Sequence, residues 1–225
     1  MFTLNDALVE KARAALYTRE HLYWIIGGSC SGKSTISRML SDRTGIPIYD
    51  MDDHIYGSYM GRYTAERHPA STAWFSAPDP FAWVMSLSWE EFNSLNRATN
   101  AEYLDLLAED LADIAYDRPF LIDGGITHPS VLTRVAPAER VFCVEVAPEH
   151  SARIWETAGD RLDMRDWIRA LPDPEKMWRK FLFFDRMISQ TIGVESRACA
   201  VRTFSRDEDM GVEKLASVVA EHFHM

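Results

Sequence analysis

The chain has 225 residues, with 24 Lys plus Arg against 34 Asp plus Glu and a formal net charge of −10. A hydrophobic fraction of 47% beside 26% charged residues excludes a disordered chain and leaves enough apolar surface for a sizeable core. The acidic excess argues against a nucleic-acid polymer as partner, because binding a phosphate backbone needs clustered cations; only a small, local basic site is compatible with it.

Leu4, Leu8, Ala12, Ala15 and Leu16 fall at helical spacing, so a helix is expected from Leu4 to about Arg19. Leu22 to Ile26 is a short aromatic and β-branched run stopped by Gly27 and Gly28, the pattern of a buried strand. Lys33 to about Ser41 reads as a helix, with Gly45 just past its end. Ile46 to Tyr49 predicts a second strand that delivers Asp50, Asp52 and Asp53 at its C-terminal end.

The stretch 56–88 differs in kind. It holds Tyr56, Tyr59, Tyr63, Trp74, Phe75, Phe81 and Trp83 among Gly, Pro and Ser with little periodicity, and reads as an insertion. A helix is expected from Trp89 to about Tyr116, broken near Asn100. Phe120 to Asp123 predicts a third strand stopped by Gly124 and Gly125, and Arg140 to Val146 a fourth. Helices follow from Pro148 and over 174–192, then a fifth strand at Ala198 to Val201 and a closing amphipathic helix with Val212, Leu215, Val218 and Val219. Short apolar strands alternating with helices imply an α/β fold with a parallel sheet covered on both faces. The whole of 1–225 reads as one domain of this kind.

Cys30, Cys143 and Cys199 are too scattered for a disulfide framework and form no CxxC pair, so reduced thiols are expected. No apolar run reaches the roughly 18 residues that span a bilayer, and Met1 leads into Asn5, Asp6 and Glu10 rather than a basic leader. The expectation is a soluble cytoplasmic protein without a membrane partner, as monomer or homodimer.

Gly27-Gly28-Ser29-Cys30-Ser31-Gly32-Lys33-Ser34 fits G-x-x-x-x-G-K-[ST] between a predicted strand and a predicted helix. Loop N–H groups and the helix dipole there would cradle a polyphosphate, with Lys33 on the β- and γ-phosphates and Ser34 on Mg²⁺. The remaining residues narrow the chemistry. No lysine stands in the N/T-K-x-D run of GTPases, no LSGGQ signature occurs, and Asp123 is followed by Gly124-Gly125 instead of a water-activating Glu. Phosphoryl transfer to a small acceptor is left in front of an ATPase or nucleotide switch acting on a protein partner.

Such a transfer needs a carboxylate at the incoming hydroxyl and another near the metal. Asp52 is assigned as catalytic base or acceptor-orienting group, Asp50 or Asp53 as metal support, and Asp123 as the strand-end acid that holds Mg²⁺ through water. A solvated acidic turn is the competing reading. His54 and His128 are read as packing or hydrogen-bonding residues.

Arg161, Arg165 and Arg169 recur every four residues, interleaved with Asp160, Asp163 and Asp166, and a helix would put the arginines on one face. An arginine-bearing lid over 159–174 would neutralise the transferring phosphoryl, with Arg161 and Arg165 first and Arg153, Arg179 or Arg186 as contributors. A salt-bridged surface helix is the alternative. Arg202 to Ser205 are placed in a loop over the adenine after the fifth strand. The aromatics of 56–88 form either a satellite core or a stacking surface beside the acidic cluster.

Gly27 to Thr35, the Asp50-Met51-Asp52-Asp53-His54-Ile55-Tyr56 segment, Asp123-Gly124-Gly125 and the arginine-rich stretch resemble, in this order, the P-loop small-molecule kinases. These include nucleoside and nucleotide kinases, shikimate and gluconate kinases, and antibiotic-phosphorylating relatives. Asp52 to Tyr56 is similar to the D-[DS]-F-[FY] segment of uridine and nicotinamide riboside kinases, in which the first Asp is the base, and Asp50-x-Asp52 to the D-x-D of shikimate kinases. The resemblance covers about two thirds of the chain. It implies a three-layer P-loop fold with a five-stranded sheet in the order 2-3-1-4-5. ATP and Mg²⁺ are the expected cofactors, and the acceptor is expected to offer a hydroxyl or phosphate of a small molecule, a nucleoside or nucleotide being favoured by the aromatics beside the acidic cluster. His54-Ile55 in place of the aromatic pair, the helix before strand one and the 56–88 insertion depart from the pattern.

Overall fold

A computed structural model describes residues 1–207 and 210–225 of the chain; the side chain of Asp160 lies outside the described set. Five parallel strands form one sheet in the order β2-β3-β1-β4-β5: β1 (Leu22–Gly27), β2 (Ile48–Asp50), β3 (Phe120–Asp123), β4 (Val141–Val146) and β5 (Arg202–Arg206). Side chains alternate between its faces. Trp24, Ile26, Ile122, Val141 and Cys143 point into one core, with α1 (Asp6–Leu16), α6 (Trp89–Ala112) and the end of α10 (Pro174–Ala198) packed on it. Ile25, Leu121, Phe142 and Val144 point into the other, covered by α2 (Lys33–Thr44) and α11 (Val212–Phe223). Strands buried on both faces have no polar side to display, which is why they read as continuous apolar runs.

Helix ends follow local chemistry. Asn5 accepts from the amides of Ala7 and Leu8 to start α1, and Ser88 with Glu91 forms a reciprocal capping box at α6. Gly45 closes α2 in the left-handed region. The remaining helical elements are short: α3 (Met51–Asp53) running into a π-turn (His54–Ser58), α4 (Pro69–Phe75), α5 (Pro80–Ser86), α7 (Pro129–Leu132), α8 (Pro148–Thr157) and α9 (Leu162–Arg169), with 3₁₀ turns at Ala138–Arg140 and Gly159–Arg161.

Several boundaries differ from the sequence expectation for identifiable reasons. The insertion is not irregular: α4 and α5 each begin on a proline in the first turn but are too short to show a period. The second strand starts at Ile48, and α10 continues to Ala198. Ala198 to Val201 are therefore not the fifth strand; they are the end of α10 and a turn with Ala200 at φ 57°, and pairing with β4 places β5 at the polar Arg202–Arg206. An edge strand half in solvent tolerates that polarity. Helix α6 runs through Asn100 without a break, because the buried side-chain carbonyl of Asn100 accepts from the amides of Thr127 (3.0 Å) and His128 (2.8 Å) across the fold.

Asn100→Ala leaves both amides without that acceptor and is expected to cost about 1–3 kcal/mol, read as a lower midpoint in urea unfolding.

Candidate active site at the carboxyl edge of the sheet

In a parallel sheet the loops that leave the C-terminal strand ends gather on one edge. Register does the rest here: Asp50 pairs with Asp123, and Asp123 pairs with Ile25, two residues before the loop that opens at Gly27. The acidic residues of β2 and β3 therefore stand beside the glycine-rich loop.

The loop from Gly27 to Gly32 leads straight into α2. Gly32 occupies the cap position at φ 92°, and Cys30 also adopts a left-handed conformation at φ 62°. Gly28 and Ser31 are buried, Ser29 is half-buried and Thr35 is exposed in the first turn. No side chain caps α2 and no acid lies in its first turn, so the amides of Lys33, Ser34 and Thr35 face the edge with the positive end of the helix dipole. That is the requirement of an anion site.

Gly124, at φ 73°, lets two side chains converge. A Cβ there would lie 3.0 Å from Asp52 Oδ2 and 3.1 Å from Lys33 Cε, so the bare backbone is what allows the lysine stem and the carboxylate to meet. Asp52 is open to solvent on one side but ringed by protein, as on a cleft wall. Burial pushes its carboxyl above the ordinary aspartate range, Asp50 and Asp53 adding to the rise, while Lys33 and the Gly125 amide pull it back. Asp123 is buried, and burial raises it too, against the opposing pull of Lys33 and the Ser34 hydroxyl. Asp50 is partly committed: its Oδ1 accepts from the amides of Asp52 (3.0 Å) and Asp53 (3.2 Å), which shapes the turn that presents Asp52. Asp53 is exposed.

A divalent cation fits this edge. Asp123 Oδ1 is buried with no hydrogen-bond partner, and the Ser34 hydroxyl neighbours the same carboxylate. Among the described residues no three His, Cys, Asp or Glu side chains form a metal cage. Mg²⁺ in such a place completes its shell with phosphate oxygens and water.

The segment expected to act as a lid packs on the loop itself. Cys30 packs with Trp155 of α8, Ile168 of α9 and Trp178 of α10 in one small core. Asp185 of α10, which the sequence reading did not single out, accepts from the buried Ser151 hydroxyl of α8 at 2.8 Å, and that hydroxyl lies 3.4 Å from the Ser29 carbonyl. The arginines do not share one helical face, because Arg161 belongs to the 3₁₀ turn before α9. Its guanidinium lies 5.0 Å from the centroid of Trp155 and in the field of Cys30 and Asp185. Arg165 instead donates to the Glu156 carbonyl at 3.1 Å, and Arg169 is exposed. Arg153 contacts His150, while Arg179 and Arg186 are exposed on α10. Asp160 lies outside the described side chains.

Arg202 is corrected in place. It is the first residue of β5, paired with Phe142 at the N-terminal end of the strands, the edge opposite the glycine loop. Arg206, at the other end of β5, stands beside the glycine loop instead: Nη1 lies 2.9 Å from where a Gly32 Cβ would stand, and its buried Nε has no hydrogen-bond partner among the described residues. The signal was the strand itself, misplaced by four residues.

The two histidines serve packing and hydrogen bonds. His54 stacks on Tyr49 (4.0 Å) and bonds Ser58 (2.9 Å), and buried His128 bonds Glu195 (2.9 Å).

The molecule shares its three-layer fold and strand order with solved P-loop small-molecule kinases. Among solved structures it is similar to a shikimate kinase from Bacteroides thetaiotaomicron, with a TM-score of 0.51 at 13% identity over 91% of this chain and 98% of that one. Shikimate kinases from Aquifex aeolicus (TM-score 0.45, 14% identity, covering 90% and 96%) and from Acinetobacter baumannii in complex with shikimate (0.44, 16%, 95% and 95%) are also similar. No protein-family model and no curated protein matches the chain. Among the described residues no helix is long and apolar enough to cross a membrane.

Asp123 carries a sign that can be checked. A carboxyl raised in the folded state stabilises below the ordinary aspartate value of about 3.9, and that contribution is lost as pH rises through the raised value. Asp123→Asn is therefore expected to raise the thermal midpoint at pH 7, by about 2–4 °C per kcal/mol recovered, with the gain vanishing near pH 3.

Proposed function

We propose that this protein transfers the terminal phosphoryl group of ATP, with Mg²⁺, to a hydroxyl of a small molecule bound at Asp52. The observation that carries this is the convergence of Lys33, Asp52 and Asp123 around Gly124, beside the uncapped start of α2. One edge thus offers a cation for the phosphates, a metal-side carboxylate and a second carboxylate for an acceptor.

The roles divide by position. Loop amides and the first turn of α2 hold the phosphates, and Lys33 adds a mobile charge as negative charge shifts in the transition state. Ser34 and Asp123 would hold Mg²⁺, with Asp50 as support, and the bound ion would supply positive charge to offset that of the phosphates. Asp52 orients the acceptor hydroxyl and takes its proton; its raised pKa suits a base, which must be proton-free before transfer and a competent acceptor during it. Arg161 over Trp155 and Arg206 beside Gly32 flank the loop and add charge from the lid and from β5. A nucleotide switch is the second reading. Against it stands the Gly124-Gly125 pair after Asp123, where a water-activating Glu would be needed.

Lys33→Ala is expected to lower acceptor-dependent ADP release by about 10²-fold or more with unfolding unchanged, since one charged contact to the transition state is worth that much. Asp52→Asn should lower kcat by a similar order, and the acid limb of the wild-type pH–rate profile should lie above the ordinary aspartate value, because turnover falls as Asp52 gains its proton. ADP release by wild type that needs no acceptor and survives Asp52→Asn unchanged favours the switch. Arg206→Ala should raise KM for ATP several-fold and leave KM for the acceptor unchanged.

A further inference from the structure

Four residues beyond Asp52 the insertion begins at Tyr56, and its chemistry restricts what can sit beside that carboxylate. Tyr56 is 57% exposed, and its hydroxyl lies in the field of Asp52. Its ring meets Trp74 and Phe75 edge-on, each at 6.1 Å. Trp74 stacks on Phe75 (4.8 Å) and Phe75 on Tyr63 (5.4 Å, planes 1° apart), so the exposed ring is backed by a stack that keeps it from collapsing.

The insertion is short of free charge. Its only arginines or lysines are Arg62 and Arg67. Arg62 pairs with Asp110 (2.5 Å) and Glu109 (3.1 Å), and Arg67 with the buried Asp105 (2.5 Å) and with Glu109. Lys11 of α1 joins the same cluster through Asp105 at 3.0 Å, so three cations meet three carboxylates. His68 is buried against Asp105 (3.0 Å). Glu102, one turn earlier on α6, accepts from the amides of Ala70 (2.9 Å) and Ser71 (2.7 Å) and fixes the start of α4, hence Trp74 and Phe75. One face of α6 thus pins the wall and consumes its positive charge. An acceptor bearing a carboxylate or phosphate would meet Asp50, Asp52 and Asp53 at the mouth with no unpaired cation from the insertion to offset them, and recruiting Arg67 would strip Asp105 of a partner in the interior.

We infer that the acceptor is an uncharged alcohol carried on a planar ring system, of the nucleoside or aryl-alcohol kind, its ring against Tyr56 and its hydroxyl at Asp52, and that anionic hydroxy acids and nucleotides are rejected. This rests on the phosphotransfer reading of the same edge, but it can fail separately.

The test offers wild-type enzyme, with ATP and Mg²⁺, a panel of ribonucleosides, their monophosphates phosphorylated at either end of the ribose, chloramphenicol-type aryl alcohols, and shikimate. ADP release and tryptophan fluorescence are both followed. A neutral ring-bearing alcohol should be preferred over its anionic counterpart by at least about tenfold in kcat/KM. Tyr56→Ala should raise KM for it by about tenfold without moving KM for ATP, and Tyr56→Phe should restore most of that loss. Binding should quench wild-type fluorescence and lose that quench in Trp74→Phe. Equal or better use of the anionic members, an unchanged KM in Tyr56→Ala, or binding of no neutral member overturns the assignment, the first two leaving Lys33-dependent transfer standing. Selective binding of neutral members without transfer upholds the acceptor class and overturns the kinase reading instead.

Discussion

The parallel register of β2, β3 and β1 is the constraint on which the site depends. Because Asp50, Asp123 and Ile25 lie side by side across three strands, the turn after β2, the Gly124-Gly125 turn after β3 and the loop after β1 leave the sheet at the same height. Slipping β2 by one residue would turn Asp50 to the opposite face and move Asp52 away from Lys33. The apolar residues of the strands hold that register, since each is needed in one of two cores.

Concentrating acids at one edge has a cost in folding energy, which the surroundings contain rather than remove. Asp52 and Asp123 are pushed up first by burial, then by neighbouring carboxylates, Asp50 and Asp53 at Asp52 and Asp50 and Asp52 at Asp123, and Lys33 only partly opposes this. Asp185, on the lid side, is likewise raised by burial while bonded to Ser151. Carboxylates left under-neutralised in this way are poised for a cation or a proton, whereas those on α6, with arginine and lysine partners, are spent on structure. The contrast between Asp123 and Asp105 shows it: both are buried, but burial prevails at Asp123, while His68, Lys11 and Arg67 hold Asp105 below its ordinary value.

The two segments on either side of this edge are attached differently. The insertion is tied to α6 through Glu102, Asp105, Glu109 and Asp110, a set of ionic and capping contacts that fixes its aromatic wall. Helices α8–α10 touch the glycine loop through the small Cys30 core, with the Ser151–Asp185 bond beside it.

The sequence by itself determined the alternation of apolar strands with helices, the glycine loop with Lys33 and Ser34, and the acids Asp50, Asp52 and Asp123, while the strand order followed from the family these motifs resemble. These are signals carried by short runs: apolar residues stopped by glycine, and a loop whose backbone needs glycine at fixed spacing. Only the tertiary structure decided that Asn100 tethers α6 rather than breaking it, that β5 is Arg202–Arg206 and so exchanges Arg202 for Arg206 at the loop, and that Arg161 and Arg165 part company. It also brought in Asp185 and the ion cluster on α6, whose partners lie far apart in the chain. The physical reason is the same in each case. A local pattern specifies which residue can make an element, but the partner of a polar or charged side chain is chosen by packing across the fold, and that choice decides whether a carboxylate is structural or left free for chemistry.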